Sequence, residues 1–233
     1  MSLSRRLFAE FLGTALLLAT VVGSGVMGVA LASGNNAVAL LANAGATAGM
    51  LYVLIVLFGP ISGAHFNPAV TLVMHLRGDM GRRDAIAYVL VQAVAAVLGV
   101  LLAHVMFDLP VIEHGNHLRT GSAQWISEGV ATFGLLLTIL LGLRHRPSAI
   151  PSLVASYIFA AYWFTASTSF ANPVVTLARS LTQSFAGIRP DDVAGFVVAQ
   201  VAGALLALAT WRLLASPTAS AQVADNPRGN ESA

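Results

Sequence analysis

Long apolar stretches separated by short polar segments make up most of this chain. A helix that crosses the hydrocarbon core of a membrane, about 30 Å thick, needs about 20 mostly apolar residues. Six stretches meet this requirement: 7–31, 38–58, 84–107, 125–143, 149–168 and 193–215. The pattern therefore predicts an all-α membrane protein with six transmembrane helices. A secretory signal peptide is the alternative for the first stretch, which follows Arg5 and Arg6 but exceeds the usual apolar length of about 7–15 residues.

Composition agrees with a membrane protein and excludes several kinds of function. The 233 residues are 57% hydrophobic and 9% charged, whereas soluble domains are about 25% charged. All basic residues are arginines at the ends of the apolar stretches rather than in one patch, so nucleic acid is not expected as a partner. The chain has no cysteine and no nucleophile motif. We predict no catalytic residue, no cofactor and no metal site, and membrane lipid as the surroundings.

The arginines also predict the orientation of the spans. Cytoplasmic loops carry an excess of positive charge. With the N-terminus inside, the cytoplasmic arginines outnumber those on the outer side, which are Arg119, Arg179 and Arg189. Both termini are therefore predicted to be cytoplasmic, and the polar, turn-rich segment 216–233 is predicted to be a disordered cytoplasmic tail.

The two halves of the chain repeat each other. Matching residues occur in the same order in both halves: Glu10 with Glu128, Asn67 with Asn172, and Gln92 with Gln200. This pattern predicts a channel domain over 1–215 that is built from repeats at about 1–118 and 119–215. Three spans per repeat is an odd number, so the second repeat is expected to be inverted relative to the first.

Each repeat contains an Asn-Pro step followed by a short segment with helical character, 67–77 and 172–184. A ten-residue helix covers about 15 Å, which is half of the hydrocarbon core. Asn is a preferred N-cap and Pro suits the first helical position. Inverted repeats would bring the two Asn-Pro ends together near the midplane, with their amide donors directed into a lumen. The positive ends of the two half-helices would repel cations and pass neutral, hydrogen-bonding solutes.

With these motifs the sequence resembles the aquaporin, or major intrinsic protein, superfamily. The resemblance rests on residues 9–14 and 62–71, on the second Asn-Pro and on the Gln92 and Gln200 segments. It implies an aquaporin-like bundle of six helices and two half-helices, one pore per chain, a homotetramer and a bacterial inner membrane. The pore motifs it implies are Asn67, Pro68 and Ala69, and Asn172, Pro173 and Val174.

The resemblance also implies a selectivity filter that departs from the usual one. Counting from the two asparagines gives Thr47, Ala160, Ser169 and Val175, with Val175 at the position where the family usually has Arg. These uncharged residues look like the filters of bacterial relatives associated with arsenic resistance. We therefore expect small neutral solutes as cargo, foremost arsenous acid and methylated arsenicals, with glycerol, urea, ammonia and water as alternatives.

Glu10 and Glu128 are acidic residues inside predicted spans. Such groups are functional candidates by default, so a proton-coupled secondary transporter is the alternative function. A scaffold with an occluded pore is a further possibility. The matching residues of the family favour a structural role in which the carboxylates accept hydrogen bonds from the Asn-Pro loops. Arg179 is expected in a salt bridge with Asp191 or Asp192, or exposed.

Overall fold

The computed structural model describes residues 1–215, so the predicted tail 216–233 lies outside the described residues. The described part is all-α and contains no strand. Eight α-helices follow one another along the chain: α1 (Leu3–Leu31), α2 (Asn36–Ser62), α3 (Pro68–Arg77), α4 (Arg82–Met106), α5 (Ser122–His145), α6 (Ile150–Phe164), α7 (Pro173–Arg179) and α8 (Val193–Ala215).

Five helices, α1, α2, α4, α5 and α8, are long and apolar enough to cross a membrane. The sixth predicted stretch, 149–168, forms α6, which has 15 residues and follows directly on a 3-10 turn at Pro147–Ala149. It ends because Thr165 leaves the helical conformation, and its hydroxyl donates a 2.6 Å hydrogen bond to the carbonyl of Ala161. The remaining residues of this stretch form part of the loop that leads to Asn172.

The long helices pack in two similar groups. Helix α1 packs against α2 and α4, and α5 packs against α6 and α8, while α2 and α6 join the two groups. Glycines allow close contact in both: a Cβ atom on Gly99 would lie 2.3 Å from the carbonyl oxygen of Ala15, and one on Gly203 would lie 2.2 Å from that of Gly129. Helix α1 forms part of this core, with Leu18 and Val22 fully buried, which argues against the signal-peptide interpretation.

The half-helices α3 and α7 contact each other, and both contact α4 and α8. Large apolar side chains cover the outside of the bundle, including Leu90, Val105 and Val198, which are each more than 60% exposed. An apolar exterior of this kind is suited to lipid contact and not to water. The short helices α3 and α7 are thus inside a membrane-embedded bundle.

Candidate functional site

Each half-helix begins at an asparagine that caps it. The side-chain oxygen of Asn67 accepts a hydrogen bond of 2.8 Å from the backbone N–H of Ala69. That of Asn172 accepts from Val174 at 3.1 Å and from Val175 at 3.3 Å. A proline follows each asparagine at the first helical position, where the missing N–H costs nothing.

The same two asparagines connect the halves of the chain. The side-chain nitrogen of Asn67 donates to the carbonyl of Ala171, and that of Asn172 donates to the carbonyl of Phe66, both at 2.8 Å. Each amide has two N–H donors, and one of them is used in this way. The prediction that these amides direct their donors into a lumen is therefore limited to one donor per asparagine.

Two buried glutamates hold the loops that precede the asparagines. The carboxylate oxygens accept backbone N–H groups at 2.7–2.9 Å: Glu10 from His65 and Phe66, and Glu128 from Phe170 and Ala171. Phe66 and Ala171 have the same φ of 48°, a left-handed conformation that is unfavourable for these residue types. The carboxylates thus fix a strained turn immediately before each asparagine.

Glutamines complete these two networks. Gln92 donates to Glu10 at 2.8 Å and Gln200 donates to Glu128 at 2.6 Å, and each glutamine also donates to a threonine hydroxyl of the adjacent half-helix. Both glutamates are fully buried, and neither lines the cavity beside the asparagines. Their position is that of fixed acceptors within the protein.

A cavity of about 310 Å³ runs past both asparagines, from Arg77 at the end of α3 to Arg179 at the end of α7. Three of the four predicted filter residues line it, namely Thr47, Ser169 and Val175. All three are buried and uncharged. No glutamate lines this cavity within residues 1–215.

The fourth predicted filter residue, Ala160, does not line the cavity and is exposed on α6. Val154, Ile158 and Tyr162, spaced four residues apart, form the inward face of that helix. The hydroxyl of Tyr162 donates a 3.3 Å hydrogen bond to the hydroxyl of Thr47. Counting back from Asn172 to Ala160 goes two residues past Tyr162, because it assumes a longer loop after the helix.

The structure also corrects the prediction for Arg179, which is 1% exposed and lines the cavity. Its guanidinium carbon lies 3.3 Å from the centre of the Phe170 ring, and its Nε donates to the carbonyl of Ala186. Asp191 and Asp192 both pair with Arg189 instead. The spacing of Asn172, Val175 and Arg179 by three and then four residues was the sequence signal that they share a helix face.

A second arginine adds positive charge at this end of the cavity. The guanidinium carbon of Arg119 lies 4.9 Å from the centre of the same Phe170 ring, and its Nε donates to the carbonyl of Gly187 at 2.8 Å. In the exposed loop nearby, the pKa of His117 is lowered by partial burial and by the charges of Arg119 and Arg179. Two guanidinium groups, of which that of Arg179 lines the cavity, therefore lie close to the Phe170 ring at the α7 end of the cavity.

Comparisons with known proteins agree with this architecture. Residues 1–163 match the sequence profile of the family described as "Major intrinsic protein". The chain is 58% identical over 215 residues to "Aquaglyceroporin AqpS" of Rhizobium meliloti (strain 1021), which covers 92% of each protein. It is 37% identical over 163 residues to "Probable aquaporin PIP2-8" of Oryza sativa subsp. japonica, covering 65% of this chain and 58% of the relative.

A solved structure has the same fold. It is described as the X-ray structure of the aquaglyceroporin from Plasmodium falciparum, and it superimposes with a TM-score of 0.74 at 17% identity. The match covers 93% of this chain and 98% of the other. At this identity the similarity concerns the fold alone.

Proposed function

The chain belongs to the major intrinsic protein family, whose members are channels and not enzymes, and we propose that it passes small uncharged hydroxylated solutes across the membrane. The foremost proposed cargo is arsenous acid and methylated arsenicals, with glycerol-like polyols and water as further solutes. Each of these solutes would pass through an integral, multi-pass membrane channel.

The observation that carries the proposal is the uncharged set of side chains near the asparagine pair. Thr47, Ser169 and Val175 offer hydroxyl groups and an alkyl surface to a solute. A neutral solute with several hydroxyl groups exchanges its water for such groups at low cost. The Rhizobium relative is itself named as an aquaglyceroporin, which supports polyols as cargo.

A passive channel is favoured over a proton-coupled transporter by the positions of Glu10 and Glu128. A coupled carrier needs an ionisable group that meets the solute or the coupling ion. Here both carboxylates are away from the cavity and hold backbone and glutamine N–H groups, and the acidic side chain that does line the cavity, Asp79, is paired with Arg77.

The assembly and orientation are part of the proposal. We propose a homotetramer in a bacterial inner membrane, two inverted repeats per chain and both termini in the cytoplasm. The arginine distribution supports the orientation. A reporter enzyme fused after residue 215 should be active on the cytoplasmic side only, and activity on the outer side would contradict the orientation.

The function is tested by light scattering and solute uptake in proteoliposomes. The purified protein should accelerate equilibration of glycerol, urea and arsenous acid above protein-free vesicles. Uptake should stop at equal concentrations on both sides, with or without a proton gradient. Accumulation against a solute gradient when protons are supplied would overturn the channel and favour a carrier.

A further inference from the structure

Arg179 lies on the lumen side of the channel, one turn beyond Val175. Asn172, Val175 and Arg179 all line the cavity, whereas Val174 and Ala178 of the same half-helix pack in the protein core. The four residues from Val175 to Arg179 correspond to a rise of about 6 Å. The predicted filter has valine at residue 175, where the family usually has arginine. The chain nevertheless has a guanidinium group on the lumen face of α7, one turn away at Arg179.

This guanidinium is not neutralised by an acid. Within residues 1–215 no carboxylate forms an ion pair with Arg179. Its Nη1 is buried and makes no hydrogen bond in the described part of the chain. Buried polar atoms of proteins nearly always have partners, so an unpartnered one beside a cavity requires an explanation.

The contacts that Arg179 does make hold it in place without cancelling its charge. Its Nε donates to the backbone of Ala186, and its planar group stacks on Phe170. The neighbouring Arg119 is held in a similar way: it donates to the carbonyl groups of Gly187 and Ser167, and its guanidinium lies over the same Phe170 ring. The two acidic side chains between α7 and α8, Asp191 and Asp192, are both paired with Arg189.

We propose that Arg179 is the charge-selective residue of this channel, and that its guanidinium at the outer end of the lumen excludes cations. This inference rests on the proposed channel function and deepens it. At an effective dielectric constant of about 20, a unit charge about 5 Å away repels a cation strongly enough to reduce its passage on the order of a few hundredfold. A polar neutral solute has no such penalty.

The test measures proton and sodium conductance of proteoliposomes under an imposed membrane potential, with glycerol flux in the same preparations. Arg179→Met keeps the length of the side chain and removes its charge, and it should raise both cation conductances at least about tenfold. Arg179→Lys should conduct cations like the parent. The matched control is Arg189→Met, which removes an outer arginine that does not line the cavity, and it should also behave like the parent.

Moving the guanidinium to another residue of α7 tests whether Arg179 acts through its charge or only supports the structure. In the double variant Val175→Arg, Arg179→Met the charge returns one turn deeper, so cation exclusion should be restored. If Arg179→Met does not reach the membrane, Arg179→Gln keeps a donor for Ala186 without the charge and should leak in the same way. A variant without the charge that passes glycerol and excludes cations like the parent would overturn this inference alone. A parent that passes no neutral solute would overturn the channel function as well.

Discussion

The hydroxyl group of Tyr162 donates a 3.3 Å hydrogen bond to the hydroxyl group of Thr47, where α6 and α2 meet beside the cavity. Thr47 is a predicted filter position and lines the cavity, and Tyr162, which is hydrogen-bonded to it, brings a bulky aromatic ring to the same level. The width of the lumen at this level therefore depends on a residue of α6 that the counting from Asn172 did not identify.

Truncation of this ring should widen the channel. We expect Tyr162→Ala to raise the flux of glycerol and urea relative to water, because the ring limits larger solutes more than water. Ala160→Val is the matched control on the same helix, since Ala160 is exposed and does not line the cavity. The ratio of solute flux to water flux in proteoliposomes measures the effect. An Ala160→Val variant that shifts this ratio more than Tyr162→Ala would restore the counted filter position.

An arginine at residue 175 should narrow the lumen. Arginine is longer than valine, always charged and rich in donors, and an added barrier of about 1.4 kcal/mol slows passage about tenfold. We expect Val175→Arg to reduce arsenous acid and glycerol flux by at least that factor while reducing water flux less. Val175→Ala should change both fluxes little. Parental polyol flux in an arginine variant that is present in the membrane at parental abundance would show that Val175 does not line the narrowest point.

The carboxylate of Glu128 should be essential for the stability of the loop before Asn172. In Glu128→Gln, an amide N–H₂ would replace an oxygen that accepts a hydrogen bond from Phe170 or Ala171. Loss of such a buried acceptor costs about 1–3 kcal/mol, so the thermal unfolding temperature in detergent should fall. Asp191→Asn, at an exposed carboxylate, is the control. Unchanged stability together with a new pH dependence of solute uptake would favour a proton relay.

Close packing of α5 and α8 at Gly203 should not tolerate a methyl group. A Cβ atom there would lie 2.2 Å from the carbonyl oxygen of Gly129, so Gly203→Ala requires the helices to separate. Overpacking of this kind costs about 1–3 kcal/mol. Gly49→Ala, on a helix face with no atom within 4 Å, is expected to be harmless. Equal melting temperatures for the two variants would mean that the α5–α8 contact adjusts freely.

The parts of the site that could be predicted from the sequence are those formed by short, repeated sequence motifs. The Asn-Pro steps, and the pairs of Glu10 with Glu128 and Gln92 with Gln200, are repeated strings, so their approximate placement follows from the repeat. Tyr162 was missed because its position depends on where α6 ends and on how the following loop returns to α7, which are set by packing between distant segments. The helix face of Arg179 follows from its spacing from Asn172 and Val175, but its contacts with Phe170 and Ala186 depend on how the loops fold and were not predicted.

The hydrogen bond between Asn67 and the carbonyl of Ala171 has a consequence for biosynthesis. Its two partners are 104 residues apart, and at about 5–20 residues per second the ribosome needs roughly 5–20 s to make the second after the first. During that interval the side-chain amide of Asn67 lacks this partner, because Ala171 belongs to the second half of the chain. The inserting protein must therefore keep this polar loop hydrated, or shielded by insertion factors, until the second half arrives, and nascent chains halted before Ala171 should be the ones most exposed to quality-control proteolysis.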